Sequence, residues 1–270
     1  MYISGTDPQE IRCVYPSDLT DEEWAIVESF FVGRGRRGRP NRWPVRRVLD
    51  AVFYVLRSGC AWRLLPHDFP PWQTVFYHFS KWRLVGLWDR LHKALQSAER
   101  QRVGKRPNPS AAIVDSQSVK TAEGGPRGYD AAKNVFGRKR HLLVDTAGLV
   151  LAACVTPADV QDREGARRLL AGLTPFVPRL ELIWADGAYG GKELANWCNN
   201  QGGWKLEIVR RSGGVEGFSV LPRRWVVEQT FAWLGKQRRL GKDYERKVQT
   251  SESLIQVAMI RLMLRRLARA

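Results

Sequence analysis

A mixed β-sheet flanked by helices, preceded by an all-helical N-terminal unit, is the fold class that the sequence predicts. Two observations carry it. Up to about residue 100, apolar residues recur at helical spacing; from residue 111 onward, short apolar runs alternate with amphipathic stretches. Between the two lies a polar segment, 101–110, with two prolines and the composition of a linker. The expected division is a tail over 1–14, a helical unit over 15–100, the linker over 101–110, and an α/β unit over 111–270.

The elements follow in order. Thr20, with Glu23 three residues on, has the spacing of a capping box and opens a helix to about Val32. Gly33 to Arg39 reads GRGRRGR, too glycine-rich for a helix. Val48, Leu49, Val52, Val55 and Leu56 line one face of a second helix over Val45 to Ser58, which Gly59 ends. After the proline-rich turn at Pro66 to Pro71, helices are expected from Trp72 to Val85 and from Leu87 to Arg100. This succession is compatible with a helix-turn-helix reader of DNA. The aromatic residues Trp62, Trp72, Phe76, Tyr77, Phe79, Trp82 and Trp88 read mostly as core.

In the second unit, strands are expected at Ala111–Val114, Lys139–Asp145, Leu149–Thr156, Leu180–Ala185 and Lys205–Val209. A tight turn at Asp145–Gly148 makes the second and third a hairpin. Helices are expected over Gln161–Ala171, Gly191–Asn199, Pro222–Gly235 and Ser251–Ala270. A five-stranded mixed sheet with helices against it accommodates this order.

Charge points to the partner. The 270 residues hold 44 Lys and Arg against 27 Asp and Glu, a net charge of +17. Such an excess costs self-repulsion, and a polyanion such as DNA or RNA would offset it. No stretch approaches the roughly 20 apolar residues of a membrane helix. Met1 to Glu10 carries acids and no apolar core of a secretory signal, so a cytoplasmic, nucleoid-associated protein is expected. Cys13, Cys60, Cys154 and Cys198 lack zinc-chelating spacing and read as reduced, inert thiols. His67, His78, His92 and His141 show no paired spacing of a zinc hydrolase.

Three acids stand out by position. Asp115 ends the first strand, Asp186 ends the fourth, and Glu228 sits on the following helix. Acids at strand ends can converge above a sheet, and a packed helix can deliver a third. Phosphodiester cleavage wants such a set, because two Mg2+ ions on carboxylates activate a water and stabilise the leaving oxygen. Each acid singly reads equally as a turn residue or an ion-pair partner. Basic residues form three groups: Arg34, Arg36, Arg37, Arg39, Arg42, Arg46 and Arg47; Lys133, Arg138, Lys139 and Arg140; and a set beyond the glutamate helix that includes Arg239. All suit phosphate contacts.

Several longer motifs carry a resemblance. They are Tyr15 to Trp24, Cys60 to Pro66 followed by Trp72 to Val75, Val114 to Thr121, Gly137 to Thr146, Ala185 to Tyr189, and Arg224 to Leu234. In this order they resemble bacterial insertion-sequence DDE transposases of the family named after insertion sequence five, from Tyr15 to about Leu264. The resemblance implies an RNase H-like core with Asp115, Asp186 and Glu228 as catalytic residues and ligands of two Mg2+ (or Mn2+) ions. It implies Asp115 bridging the metals, and double-stranded DNA, as terminal inverted repeats and target, for the partner. Joining two ends suggests a homodimer or higher oligomer. The wider group often has tyrosine, arginine and lysine around its glutamate. Here Trp225 takes the tyrosine's place and Lys236 lies eight residues past Glu228, so Trp225, Lys236 and Arg239 are expected near DNA. The short segment Arg210 to Leu221 leaves no room for the insertion domain that some relatives carry. The residues alone leave two alternatives open: a DNA binder without catalysis, and a nuclease that cuts without joining.

Overall fold

The computed structural model describes residues 15–31, 42–122, 124–209 and 225–269. The first helix, α1 (Asp21–Phe31), begins at the expected capping box: the Thr20 amide donates to Glu23 Oε2 at 3.1 Å, and the Glu23 amide to Thr20 Oγ1 at 3.2 Å. Helices α2 (Val45–Ser58), α3 (Trp72–Leu84) and α4 (Leu87–Arg102) follow. Gly59 closes α2 in the left-handed region, at φ 75°. The stretch joining α2 to α3 contains a single 3-10 turn, Trp62–Leu64, and is longer than the three or four residues of a helix-turn-helix.

Six strands form one mixed sheet: β1 (Ala111–Lys120), β2 (Gly128–Asp130), β3 (Val135–Asp145), β4 (Val150–Pro157), β5 (Leu182–Ala185) and β6 (Lys205–Ile208). Their order is β2-β3-β1-β5-β6, with β4 continuing the edge along β3 beyond β2. β1 is antiparallel to β3 and parallel to β5. Helices α5 (Asp162–Leu170), α6 (Lys192–Gly202), α7 (Trp225–Gly235) and α8 (Val248–Leu267) complete the chain. β1 and β3 are longer than expected, and β2 is an additional strand.

Strand alternation sorts the core into two layers. Ala112, Val114, Leu143, Ile183 and Ala185 pack on α5 and α6. Ile113, Leu142, Val144 and Trp184 pack on the other side, with Val226, Val227 and Phe231 of α7 and with α8. That second core also takes in Leu49, Val52, Phe79, Trp88 and Leu91 of the N-terminal helices. One apolar layer therefore crosses the linker expected at 101–110, because α4 lies along α8.

Close backbone approach at two glycines fixes how α5 and β2 meet the sheet. A Cβ on Gly165 would lie 2.0 Å from the ring of buried His141, and one on Gly128 would lie 2.0 Å from Asp159 Oδ1. Gly165→Ala should accordingly lower stability by about 1–3 kcal/mol through overpacking, measured by urea denaturation. An unchanged midpoint would show that α5 does not seat on His141 this closely.

Candidate active site

The parallel register of β1 with β5 pairs Ala111 with Leu182, Ala112 with Ile183 and Ile113 with Trp184. The same offset, carried on past the end of β5, would set Asp115 beside Asp186, whose backbone stays extended. Ile113 and Trp184 face α7, so by strand alternation the two aspartates face the same side. Backbone amides hold each carboxylate: the Ser116 amide donates to Asp115 Oδ1 at 2.7 Å, and the Ala188 amide to Asp186 Oδ1 at 2.8 Å.

Tyr189 lies within reach of the charges of these groups. Its side chain is buried, and its phenol senses the charges of Asp115, Asp162 and Asp186, with Ser116 adjacent. Burial first, and the carboxylates second, hold the phenol well above its ordinary pKa. A phenol kept protonated is no nucleophile. The Ser116 hydroxyl donates to Asp162 at 2.8 Å and that of Ser118 to Asp130 at 2.5 Å, so both serines are structural ties.

Glu228 is exposed on the first turn of α7. The helix is fixed by Val227 and Phe231 in the core and by Thr230, whose hydroxyl donates to the Gly148 carbonyl at 2.8 Å. α7 packs on β1 and β3, so Glu228 lies on the sheet face to which the two aspartates point. Among the described residues, no three His, Cys, Asp or Glu side chains come together as a preformed metal cage. Mg2+ is ordinarily held by one or two protein carboxylates, with waters and substrate phosphates completing its shell. The Asp115–Asp186 pair fits that donor set, and Glu228 stands outside it as a separate carboxylate.

The basic residues expected to meet DNA divide sharply. Arg34, Arg36, Arg37 and Arg39 lie outside the described residues. Arg42, Lys133, Lys236 and Trp225 are exposed, and Lys133 Nζ donates to the Ser116 carbonyl at 3.3 Å. The others are committed inside the molecule. Arg46 pairs with Asp21 at 2.6 Å, and Arg47 with Asp18 at 3.0 Å while lying over Phe69. Arg138 donates to the Glu245 carbonyl at 2.6 Å and pairs with Asp243 at 3.0 Å. Arg140 donates to the Leu240 carbonyl at 2.7 Å, Lys139 pairs with Asp162 at 3.2 Å, and Arg239 with Glu245. Turning any of these toward a phosphate would strand a buried acid or carbonyl without its partner.

One cation escaped the sequence reading. Arg163 is exposed at the start of α5, and its Nε donates to the Ala188 carbonyl at 3.2 Å, beside the Asp186 turn. It is one of several basic residues in an amphipathic helix, and nothing in its spacing distinguishes it. A cavity of about 480 Å3 opens next to it, bounded by Tyr129, Lys133, Asp162, Arg163 and Ala188.

Residues 106–263 match the family described as "Transposase DDE domain", and residues 19–92 match "Putative transposase of IS4/5 family". Among curated proteins, the chain is similar to "Putative transposase for insertion sequence element IS402" of Burkholderia cepacia, at 30% identity over 142 residues, 50% of this chain and 65% of the relative. It is also similar to "Insertion element IS402 uncharacterized 16.2 kDa protein" of the same organism, at 31% identity over 115 residues, 40% of this chain and 77% of the relative. The chain thus spans 65% of the first relative's length. No solved structure matches.

His141, beneath α5, adds a pH dependence. Burial is the main cause that brings its pKa down from 6.5 to about 4, and its Nε2 meets Thr156 Oγ1 at 3.0 Å. Between those two pH values the unfolded chain binds a proton that the folded chain refuses, so this contribution to stability is lost as pH falls from 6.5 towards 4. His141→Gln should flatten that acid limb by about 2–3 kcal/mol in urea titrations across the window. An unchanged pH slope would show that another group sets it.

Proposed function

Since the chain belongs to the transposases with a DDE domain, we propose that it binds the terminal inverted repeats of its insertion sequence, cleaves at the element ends and joins the freed 3′-OH ends to target DNA. What supports this reading is the parallel pairing of β1, which carries Asp115 within it, with β5, which Asp186 directly follows, together with the packing of α7, the helix of Glu228, on β1. An RNase H-like core with an N-terminal DNA-binding unit is part of the same proposal.

Asp115, Asp186 and Glu228 would hold Mg2+ or Mn2+, two ions being expected. Ions bound there supply an activated attacking oxygen and a stabilised leaving oxygen. The protein's own part is positioning. The amides of Ser116 and Ala188 fix the rotamers of the two aspartates before DNA arrives. Lys133 and Arg163, on the rim of the same cluster, neutralise phosphates flanking the scissile bond. In the first displacement a water oxygen bonds to phosphorus, the 3′-oxygen leaves and is protonated, and a 3′-OH results. In the second, that hydroxyl oxygen attacks a target phosphodiester, displacing its 3′-oxygen. Each step exchanges one P–O bond for another, so no protein nucleophile is required.

Arg42, Lys133, Trp225 and Lys236 are the exposed candidates for DNA contact, with Arg34, Arg36, Arg37 and Arg39 proposed from sequence alone. Joining two ends calls for at least a dimer. Asp115→Asn should abolish metal-dependent cleavage of a labelled terminal-repeat duplex while leaving its binding within about twofold, since phosphate contacts carry the affinity. Cleavage at wild-type rate would overturn the assignment.

A further inference from the structure

The hairpin of β2 and β3 carries two exposed aromatic rings side by side. Tyr129 is 52% exposed and Phe136 54%, and the two are direct cross-strand partners. Neither is loose. Tyr129 Oη donates to Asn134 Oδ1 at 2.7 Å, and Arg127 lies over the Phe136 ring, 5.3 Å from its centroid. Next to the rings, Gly128 pairs with Gly137, and Gly137 lies close against the neighbouring strand β1: a Cβ there would lie 2.0 Å from the Val119 carbonyl oxygen. The rings are thus held outward on a rigid edge, where apolar surface costs free energy unless a partner covers it.

Strand alternation fixes which way they point. Phe136 shares the face of Leu142, which is the β3 partner of Asp115. Tyr129, its cross-strand partner, borders the cavity beside the Asp186 turn together with Lys133, Asp162, Arg163 and Ala188. Phe136 is six positions from Leu142 on β3, about 20 Å along the strand, the length of roughly six stacked nucleotides. Arg138 and Arg140 between them are buried under the segment after α7, so a DNA strand would reach the rings by way of the cavity that Tyr129, Lys133, Arg163 and Ala188 border.

We infer that the Arg127–Tyr129–Phe136 face is a stacking platform for unpaired bases of the DNA strand leading away from the Asp115–Asp186 pair. Exposed aromatic rings stack on the π-face of any base, and the guanidinium of Arg127 and the ammonium of Lys133 meet the phosphates between them. The chain's net charge of +17 favours a polyanionic occupant over a second, equally basic copy. The inference rests on the DNA-processing reading above, and it concerns binding rather than chemistry.

Two probes separate the possibilities: a blunt duplex, and the same duplex ending in about six unpaired nucleotides. The wild-type chain should prefer the frayed end. Tyr129→Ala with Phe136→Ala should erase that preference, weakening frayed-end binding about tenfold per ring, with blunt-duplex affinity and melting temperature unchanged. Tyr129→Trp with Phe136→Trp should restore it. Base stacking should also quench 2-aminopurine placed in the unpaired stretch, and the double alanine variant should lose that quenching. An equal preference for the frayed end in the wild type and the alanine variant overturns the inference. So does a change in sedimentation of the free chain without any change in DNA binding, which would assign the face to a second copy. Failure of Asp115→Asn to stop cleavage would sink the catalytic assignment and leave this binding result standing.

Discussion

The parallel register between β1 and β5 is the constraint on which the site depends. Side chains on a strand alternate, so a slip of one residue would send Asp186 to the face of α5 and α6 while Asp115 stayed on the face of α7. The register is pinned by burial on both sides. Ile183 and Ala185 fill the core beneath α6, and Trp184 fills the core beneath α7, so no shifted pairing keeps both sets out of water.

The third carboxylate depends on a different fastening. The chain after α7 runs back along β3, and Arg138 and Arg140 hold it by its carbonyl oxygens at Leu240, Glu245 and Arg246. Burying two guanidinium groups is costly, and burial lowers the Arg140 pKa to about 10, which still leaves it charged at neutral pH. Asp243, paired with Arg138, offsets part of that cost and bridges back to Lys120 and Ala122 at the end of β1. The same strand that carries Asp115 is therefore tied, at its far end, to the segment that follows Glu228. Much of the basic excess in this half of the molecule holds the fold together, so the charge left on the surface lies on fewer residues than composition suggests.

Most helices and the short apolar strands were legible in the sequence because one face of each is apolar at a regular period. The capping box at Thr20 and the terminator at Gly59 were legible for the same local reason. What escaped depended on distant partners. Ser116 to Lys120 and Val135 to Arg138 look like loop because they are polar, yet they continue β1 and β3, their polar groups satisfied by Asp130, Asp162 and carbonyls about a hundred residues away. The segment 101–110 has linker composition and does not divide the core, since α8 returns from the far end of the sequence to pack on α4. The acids of the candidate site were visible from motifs, but Asp115, expected to end its strand, lies in the middle of β1, which runs on to Lys120, while Asp186 does follow the end of β5. The roles of Arg46, Arg47, Arg138, Lys139, Arg140 and Arg239 were not, because an arginine in an ion pair and one awaiting phosphate read alike.

The most direct test of the central claim is Mn2+ binding, followed by the loss of the free-ion electron paramagnetic resonance signal. The wild-type chain would be compared with Asp115→Asn, Asp186→Asn and the double variant, each bound to the same terminal-repeat duplex. If the two aspartates hold one shared site, each single substitution weakens Mn2+ binding by a similar factor and the double variant loses little more, as expected for coupled neighbours. Undiminished binding in Asp186→Asn, or losses that simply add, would contradict the shared site and with it the register that builds it.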